Sequence, residues 1–480
     1  MKRAVQKIEN FLNKYQMFIL GIELLGVMLI TAYICRNIAL DWDEAYSFQM
    51  VTKYSLGEMV QKTAADIHPP LYYLILRLFS SIFGRDFFVM KLVSVLFTGL
   101  TMALGIIFVR KNWGWKIALI FNLIVGLGPQ FIYFSVNIRM YSMALFFVTC
   151  SAFLAYEILQ GKQGKMCLLY WVLFVLSSLG GAYTHYFAVI PLALIYGYLL
   201  VGLFLFERKK CKYFFLSCLF TVLGYLPWLS VVVQSFQRFG VKKQVDLQAL
   251  DFSGLWKWLS KTNIKWSEYM PLVLFVFSIL LFVITWKKYT SREKLFLGMC
   301  ALNFVLSYAV SRLIASLNGH FWDNRYVFPA LALWWLFVCV MLIRQGNVVF
   351  CAYGVWAFIM VASSFTIQKS MELGTVGYMQ ETYKLLEPVR QEKTVIYDYN
   401  TFDVLYGAHL PNQELVFYDD VDFDVLDKEY VYFIRWGGNW FSDETIEKYH
   451  ITSEECGTMR FELGVDGVKL YKIYFKKTGE

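Results

Sequence analysis

The sequence predicts a polytopic α-helical membrane protein with about 11 spans, one short interfacial helix and a small C-terminal α/β domain outside the membrane. Three observations carry that expectation. Of the 480 residues, 58% are hydrophobic, 19% aromatic and only 17% charged, whereas a soluble chain carries nearer a quarter charged residues. Apolar runs long enough to cross a bilayer, roughly 20 residues each, recur up to residue 366. The Lys and Arg residues between them gather in every second loop, which is how a membrane protein fixes its orientation.

The runs are 16–39, 87–109, 117–135, 141–160, 167–184, 186–206, 213–233, 270–286, 295–315, 326–343 and 348–366. With Lys2, Arg3, Lys7 and Lys14 inside, the inner loops hold Arg110, Lys111 and Lys116, then Lys162 and Lys165, then Arg208, Lys209, Lys210 and Lys212 beside Glu207. Lys287, Lys288, Arg292 and Lys294 follow, and finally Arg344. The alternation predicts a multi-pass protein of the cell membrane, embedded in the lipid bilayer, with a cytoplasmic N-terminus and an extracytoplasmic C-terminus. The formal charge of +9 serves this orientation, and nucleic acid is not an expected partner. Nine cysteines fall mostly inside apolar runs and form no CxxC pair, which excludes a zinc ribbon or a disulfide framework. No small-residue cleavage site follows the first run, so it is expected to remain as an anchor.

The segment 71–83, LYYLILRLFSSIF, is apolar but only 13 residues long and contains Arg77. Counted as a span it would move the basic loop at Arg110 to the outside, so it reads as a short helix at the outer interface. The outer face then collects a first loop, 41–70, with Asp41, Asp43, Glu44, Asp66 and His68. Short turns add Asn137 with Arg139, and Thr184 with His185. A Trp-containing loop, 234–269, and a short loop, 316–325, with His320, Asp323 and Arg325 complete it. After residue 366 an amphipathic helix is expected over 377–391, strands over 394–399, 414–418 and 430–435, and a hairpin of 459–463 with 468–475 about a turn at 464–467. The domain division is therefore 1–370, membrane part, and 371–480, outer α/β domain. No internal repeat is visible, unlike in many transporter folds.

Each polar residue on this face has an ordinary reading beside a functional one. Asp41, Asp43 and Glu44 follow the first span, where acids cap helix starts; a carboxylate at the membrane face also suits a general base. His68 precedes Pro69 and Pro70, a good helix start, and lies close in sequence to the acidic loop. Arg139 and Tyr141 open the fourth span from its outer end. That arginine is either snorkelling or gripping a phosphate with its planar fork. His185, in Tyr183-Thr184-His185-Tyr186-Phe187, needs a packing partner, a metal or a phosphate. Asp323-Asn324-Arg325-Tyr326 adds an acid and an arginine at the same depth. Each signal is weak singly; their convergence on one face is not, because charges inside the spans are scarce and Glu23 is the main one.

These motifs occur in one order: Asp43-Glu44, His68-Pro69-Pro70-Leu71-Tyr72-Tyr73, Arg139-Met140-Tyr141, Thr184-His185-Tyr186-Phe187, Leu226-Pro227-Trp228 and Arg325-Tyr326. Over residues 15–370 the chain resembles the GT-C glycosyltransferases that use polyprenol-phosphate sugars, of the protein O-mannosyltransferase and aminoarabinose-transferase type. The resemblance implies transfer of a sugar from a polyprenyl-phosphate carrier to an acceptor (protein, lipid or cell-envelope glycan) on the outer face. It implies a catalytic base at Asp43 with Glu44 beside it, and a lipid-phosphate site at Arg139, Tyr141, His185, Arg325 and Tyr326. His68 and Asp66 fall to acceptor or loop support. Some members bind a divalent metal ion near the acidic loop and others need none; Glu44, His68 and His185 are the candidate ligands here. Where relatives often carry an arginine after the short helix this chain has Lys91, cationic but without the fork. The competing class is a transporter or lipid flippase, which predicts charges near the bilayer midplane and broken helices.

Overall fold

The computed structural model describes residues 9–38, 40–66, 68–161, 164–239, 252–260, 269–318, 323–399, 403–460 and 467–478. His320, Lys162, most of the Trp-containing outer loop and the turn residues 464–466 lie outside them. The chain forms two compact units. One comprises Met1–Tyr33, Val60–Leu78 and Lys91–Ile367; the other comprises Ile34–Met59, Phe79–Met90 and Gln368–Glu480.

The first unit is helical. Among the described residues eight helices are long and apolar enough to cross a membrane, or nine if the bent pair Trp115–Leu127 and Pro129–Ser135 is one span. The eight coincide with eight of the apolar runs. The other three runs correspond to the bent pair, to the shorter helix Met270–Ile284 and to the apolar stretch Asn347–Ser363. The 71–83 segment is a helix of 13 residues, Leu71–Phe83. Large apolar side chains remain outward-facing, Leu205, Val222 and Ile284 among them, as a lipid-facing surface requires.

The basic loops are tied to one another by ion pairs. Arg292 Nη2 reaches Glu207 at 2.9 Å, joining the loop after Phe206 to the one after Ile284. Arg344 bonds Glu293 at 2.9 Å, and Lys116 holds Glu9 at 3.2 Å and Asn347 at 2.8 Å. These loops therefore share one side of the unit. The helices Tyr141–Leu159, Lys165–Thr184 and Leu331–Ile343 each run between that side and the opposite one. Arg139, His185 and Arg325 stand at their far ends.

The second unit carries a five-stranded sheet in the order β2-β1-β3-β5-β4. The strands are β1 (Thr394–Tyr397), β2 (Glu414–Phe417), β3 (Tyr430–Arg435), β4 (Thr452–Met459) and β5 (Val468–Tyr474). β2, β1 and β3 are parallel, and β3, β5 and β4 antiparallel. Ile396, Phe423, Phe433, Phe441 and Ile473 form its core. Two expectations are corrected here. The first strand of the last hairpin ends at Met459 rather than starting there. It is an edge strand held by cross-strand polar pairs, Lys469 to Glu455 at 2.9 Å and Tyr474 Oη to Glu454 at 3.1 Å, so it lacks apolar alternation. The 348–366 run and the 377–391 helix belong largely to one helix, Asn347–Leu386, because no proline interrupts the chain before Pro388.

Candidate functional site: an arginine–histidine cluster and an acidic helix

In the first unit, Arg139 is positioned by a broken helix. Trp115–Leu127 and Pro129–Ser135 meet at a bend of 55°. At the break, Gly128 leaves no room for a side chain, since a Cβ there would lie 2.5 Å from the Ile124 carbonyl oxygen, and Pro129 starts the second piece. The chain then turns through 136–140. The Ser94 hydroxyl donates to the Asn137 carbonyl at 2.6 Å and approaches that of Arg139 at 3.3 Å. The Arg139 N–H bonds back to the Asn137 carbonyl at 2.8 Å, and the Ser142 hydroxyl donates to Phe134 at 3.0 Å. Held in this way, Arg139 is 3% exposed.

His68, separated from it by 71 positions, receives a hydrogen bond from Arg139 Nη2 at Nε2, 3.1 Å away. Arginine only donates, so the His68 proton sits on Nδ1. His185 ends the helix Lys165–Thr184 and caps the short turn Tyr186–Ala188, its Nδ1 accepting from the Phe187 N–H at 3.2 Å. That contact leaves the neutral ring's proton on Nε2, as a donor. The His185 ring lies 5.4 Å from that of Tyr141 and 5.9 Å from that of Tyr326, which stacks on Phe187 at 4.7 Å. The Arg325 guanidinium lies 6.0 Å from the ring centres of both Tyr141 and Tyr326, steadied by Asp323 at 3.2 Å. Trp228 of the Leu226-Pro227-Trp228 motif donates to the Tyr186 hydroxyl at 3.1 Å.

Burial, then Arg139 and Arg325, hold the His185 imidazole down to about 3. Burial, Arg139, His185 and Arg325 hold His68 well below the ordinary value. Both rings are therefore neutral at physiological pH, and two guanidiniums with two neutral imidazoles converge on one spot. The sign of the stability effect follows. Between about pH 3 and 6.5 the unfolded chain binds a proton that folded His185 refuses, so stability is full above about 6.5 and falls as pH drops. Without ligand, the contribution of His185 is expected to shrink by about 2 kcal/mol between pH 7 and pH 5. Thermal unfolding across that range checks it: His185→Gln should flatten the slope, and an unchanged slope would refute the assignment.

The other sequence-derived residues make local contacts of their own. Asp66 is half-buried just after the helix Leu56–Ala65. Asp41 and Glu44 form a reciprocal capping box on the helix Trp42–Thr52. Asp41 accepts from the Glu44 N–H at 2.8 Å, and Glu44 Oε2 from the Asp41 N–H at 3.0 Å. Asp43 is half-buried in the first turn and no part of that box. The acidic helix is built into the second unit, where it packs on the helix Asp403–His409. The contact is close: a Cβ on Gly407 would lie 2.8 Å from the Gln49 amide nitrogen. Nothing in the sequence marked Ser94 as a support, and Phe187 stood out only as part of the Thr184-His185-Tyr186-Phe187 motif. Lys91 is fully buried one turn before Ser94.

This geometry can be set beside known structures. ArnT from Cupriavidus metallidurans bound to undecaprenyl phosphate matches with a TM-score of 0.59 at 12% identity, over 94% of this chain and 97% of that one. This chain has the ArnT fold. The apo state of the same protein matches with a TM-score of 0.56 at 12% identity, over the same shares of 94% and 97%. The Archaeoglobus fulgidus oligosaccharyltransferase in complex with zinc and sulfate gives a TM-score of 0.45 at 11% identity, over 86% of this chain and 68% of that one. No protein-family model and no curated protein matches the sequence. The resemblance read from the sequence thus reappears as a likeness of fold to ArnT. At this identity the likeness is one of fold, and the roles of residues rest on their own chemistry.

A divalent ion does not fit the candidate ligands. Among the described residues no group of three His, Cys, Asp or Glu side chains is arranged to hold one. His68 Nε2 already faces a guanidinium, which would repel a cation, and an oxygen of Glu44 is engaged in the capping box.

Proposed function

We propose that this chain is a membrane glycosyltransferase that moves a sugar from a polyprenyl-phosphate carrier to an acceptor on the outer face, with inversion at the anomeric carbon. The observation that carries it is the Arg139–His68–His185–Arg325 cluster of an ArnT-like fold, with Arg139 and His185 buried and His68 and Arg325 half-buried. Two arginines and an imidazole presenting Nε2–H suit a phosphate and its developing charge. In this assignment Arg139 and Arg325 grip the lipid phosphate, His185 donates to it, and Tyr141 and Tyr326 wall it. Asp43 takes the acceptor's proton, Glu44 fixes the start of its helix, and His68 and Asp66 support the loop. A phosphate-linked sugar is already activated, so no nucleotide site is needed. All eleven apolar runs cross the membrane, with the basic loops and the N-terminus cytoplasmic and the domain 371–480 extracytoplasmic. ArnT was bound to undecaprenyl phosphate, which supports a polyprenyl carrier here.

The test is an assay of the purified chain with radiolabelled polyprenyl-phosphate sugars and candidate acceptors. Release of lipid phosphate coupled to labelled acceptor is expected with at least one donor. No release from any of them would sink the assignment.

A further inference from the structure

We propose that the carboxyl edge of the parallel strands in the second unit binds a glycan, specifically a neutral or amino-sugar oligosaccharide. The purpose of such a site, holding the acceptor, rests on the transferase reading above; its existence does not.

Loops that follow parallel strands converge at their carboxyl ends, where open α/β sheets bind ligands. The order β2-β1-β3 sets Asp398 and Tyr399, which follow β1, between the ends of the other two strands. At that edge stand Tyr399 and Trp436, each 38% exposed, their rings 4.9 Å apart and nearly perpendicular. Phe423, Phe433 and Phe441 of the same unit are buried in its core, so this display runs against the usual placement of aromatics.

The display is also held rigidly. The Asp398 carboxylate, 0% exposed, accepts the Trp436 and Gly437 N–H groups at 2.8 Å each. The Asn439 amide donates to the Asp398 carbonyl at 3.0 Å. Arg435 reaches back to the Gly438 and Asn439 carbonyls at 2.6 and 2.8 Å. Gly437 is needed for space, because a Cβ there would lie 2.9 Å from the Tyr399 ring, and Gly438 has φ +82°. A buried carboxylate, an arginine and two glycines therefore fix one indole at the surface. Such preorganisation lowers the ordering cost of binding.

The chemistry selects the ligand. A rigid aromatic face with hydrogen-bonding groups around it matches the apolar C–H face and hydroxyl rim of a pyranose. The side chains of Asn439, Asp419 and Asp420 are exposed at the same edge and can serve those hydroxyls. The carboxylates of Asp419 and Asp420 disfavour a polyanionic glycan or an anionic lipid surface and favour a neutral or amino sugar.

The experiment titrates full-length protein in nanodiscs with chitotetraose, mannotetraose and tetragalacturonate, read by saturation-transfer NMR and calorimetry. A neutral tetrasaccharide should bind in about the millimolar range, and tetragalacturonate should not. Trp436→Ala and Tyr399→Ser should each weaken binding at least tenfold. If Trp436→Ala lowers the unfolding temperature, Tyr399→Ser and Asn439→Ala carry the comparison. Failure of wild type to bind either neutral probe, or equal binding by the folded variants, overturns the site. Polyprenyl phosphate is titrated into the same samples. Sugar binding without lipid-phosphate binding would sink the transferase reading alone, and the converse would sink this one.

Discussion

Arg139→Ala is expected to weaken binding of polyprenyl phosphate by about a hundredfold to a thousandfold. A charge-assisted hydrogen bond contributes about 1.5–3 kcal/mol, a bidentate fork makes two, and each 1.4 kcal/mol is tenfold. The side chain is 3% exposed, so solvent does little to screen it. Truncation also frees His68 from its 3.1 Å contact and removes one of the charges that keep both imidazoles neutral. The variant's histidines should therefore titrate closer to their ordinary value, a shift that NMR can follow. Arg139→Lys keeps the charge but loses the fork, and about a tenfold loss is expected. Calorimetry with undecaprenyl phosphate decides: unchanged affinity in Arg139→Ala would remove Arg139 from the site.

What the sequence reveals of this arrangement, and what it hides, divides along physical lines. Lipid demands long apolar runs, so the spans are legible with little else, and the 13-residue helix Leu71–Phe83 is legible because it is too short. Arg139, His185 and Arg325 stand out because an ionisable group at the end of an apolar helix is costly without a purpose. Their meeting is not legible. His68 and Arg139 are 71 positions apart, and no local rule brings them together. Ser94 is a serine in an apolar helix, common and unmarked, yet its hydroxyl ties down the Asn137 and Arg139 carbonyls. In the second unit, β1, β2 and β3 show because parallel strands are continuous β-branched and aromatic runs. β4 does not, since Glu454 and Glu455 on an exposed edge read as loop.

On the proposed assignment of Asp43 as the base, Asp43→Asn is expected to lower sugar transfer by about 10²–10⁴-fold while leaving lipid-phosphate affinity as in wild type, because removing a general base affects the chemical step. The neighbouring acid supplies the control. Glu44 accepts the Asp41 N–H within the capping box, a role glutamine also fills, so Glu44→Gln should keep both fold and activity. Glu44→Ala should lower stability by about 1 kcal/mol with transfer following the folded fraction. Three carboxylates at one helix start thus separate by position: Asp41 at the N-cap and Glu44 at the third helical position hold the backbone, and Asp43 stands between them outside the capping box. Transfer rates and calorimetry on the three variants distinguish these roles. Should Asp43→Asn transfer sugar at the wild-type rate, the base lies elsewhere; should Glu44→Gln alone abolish transfer, the base is Glu44 and its capping contact is secondary.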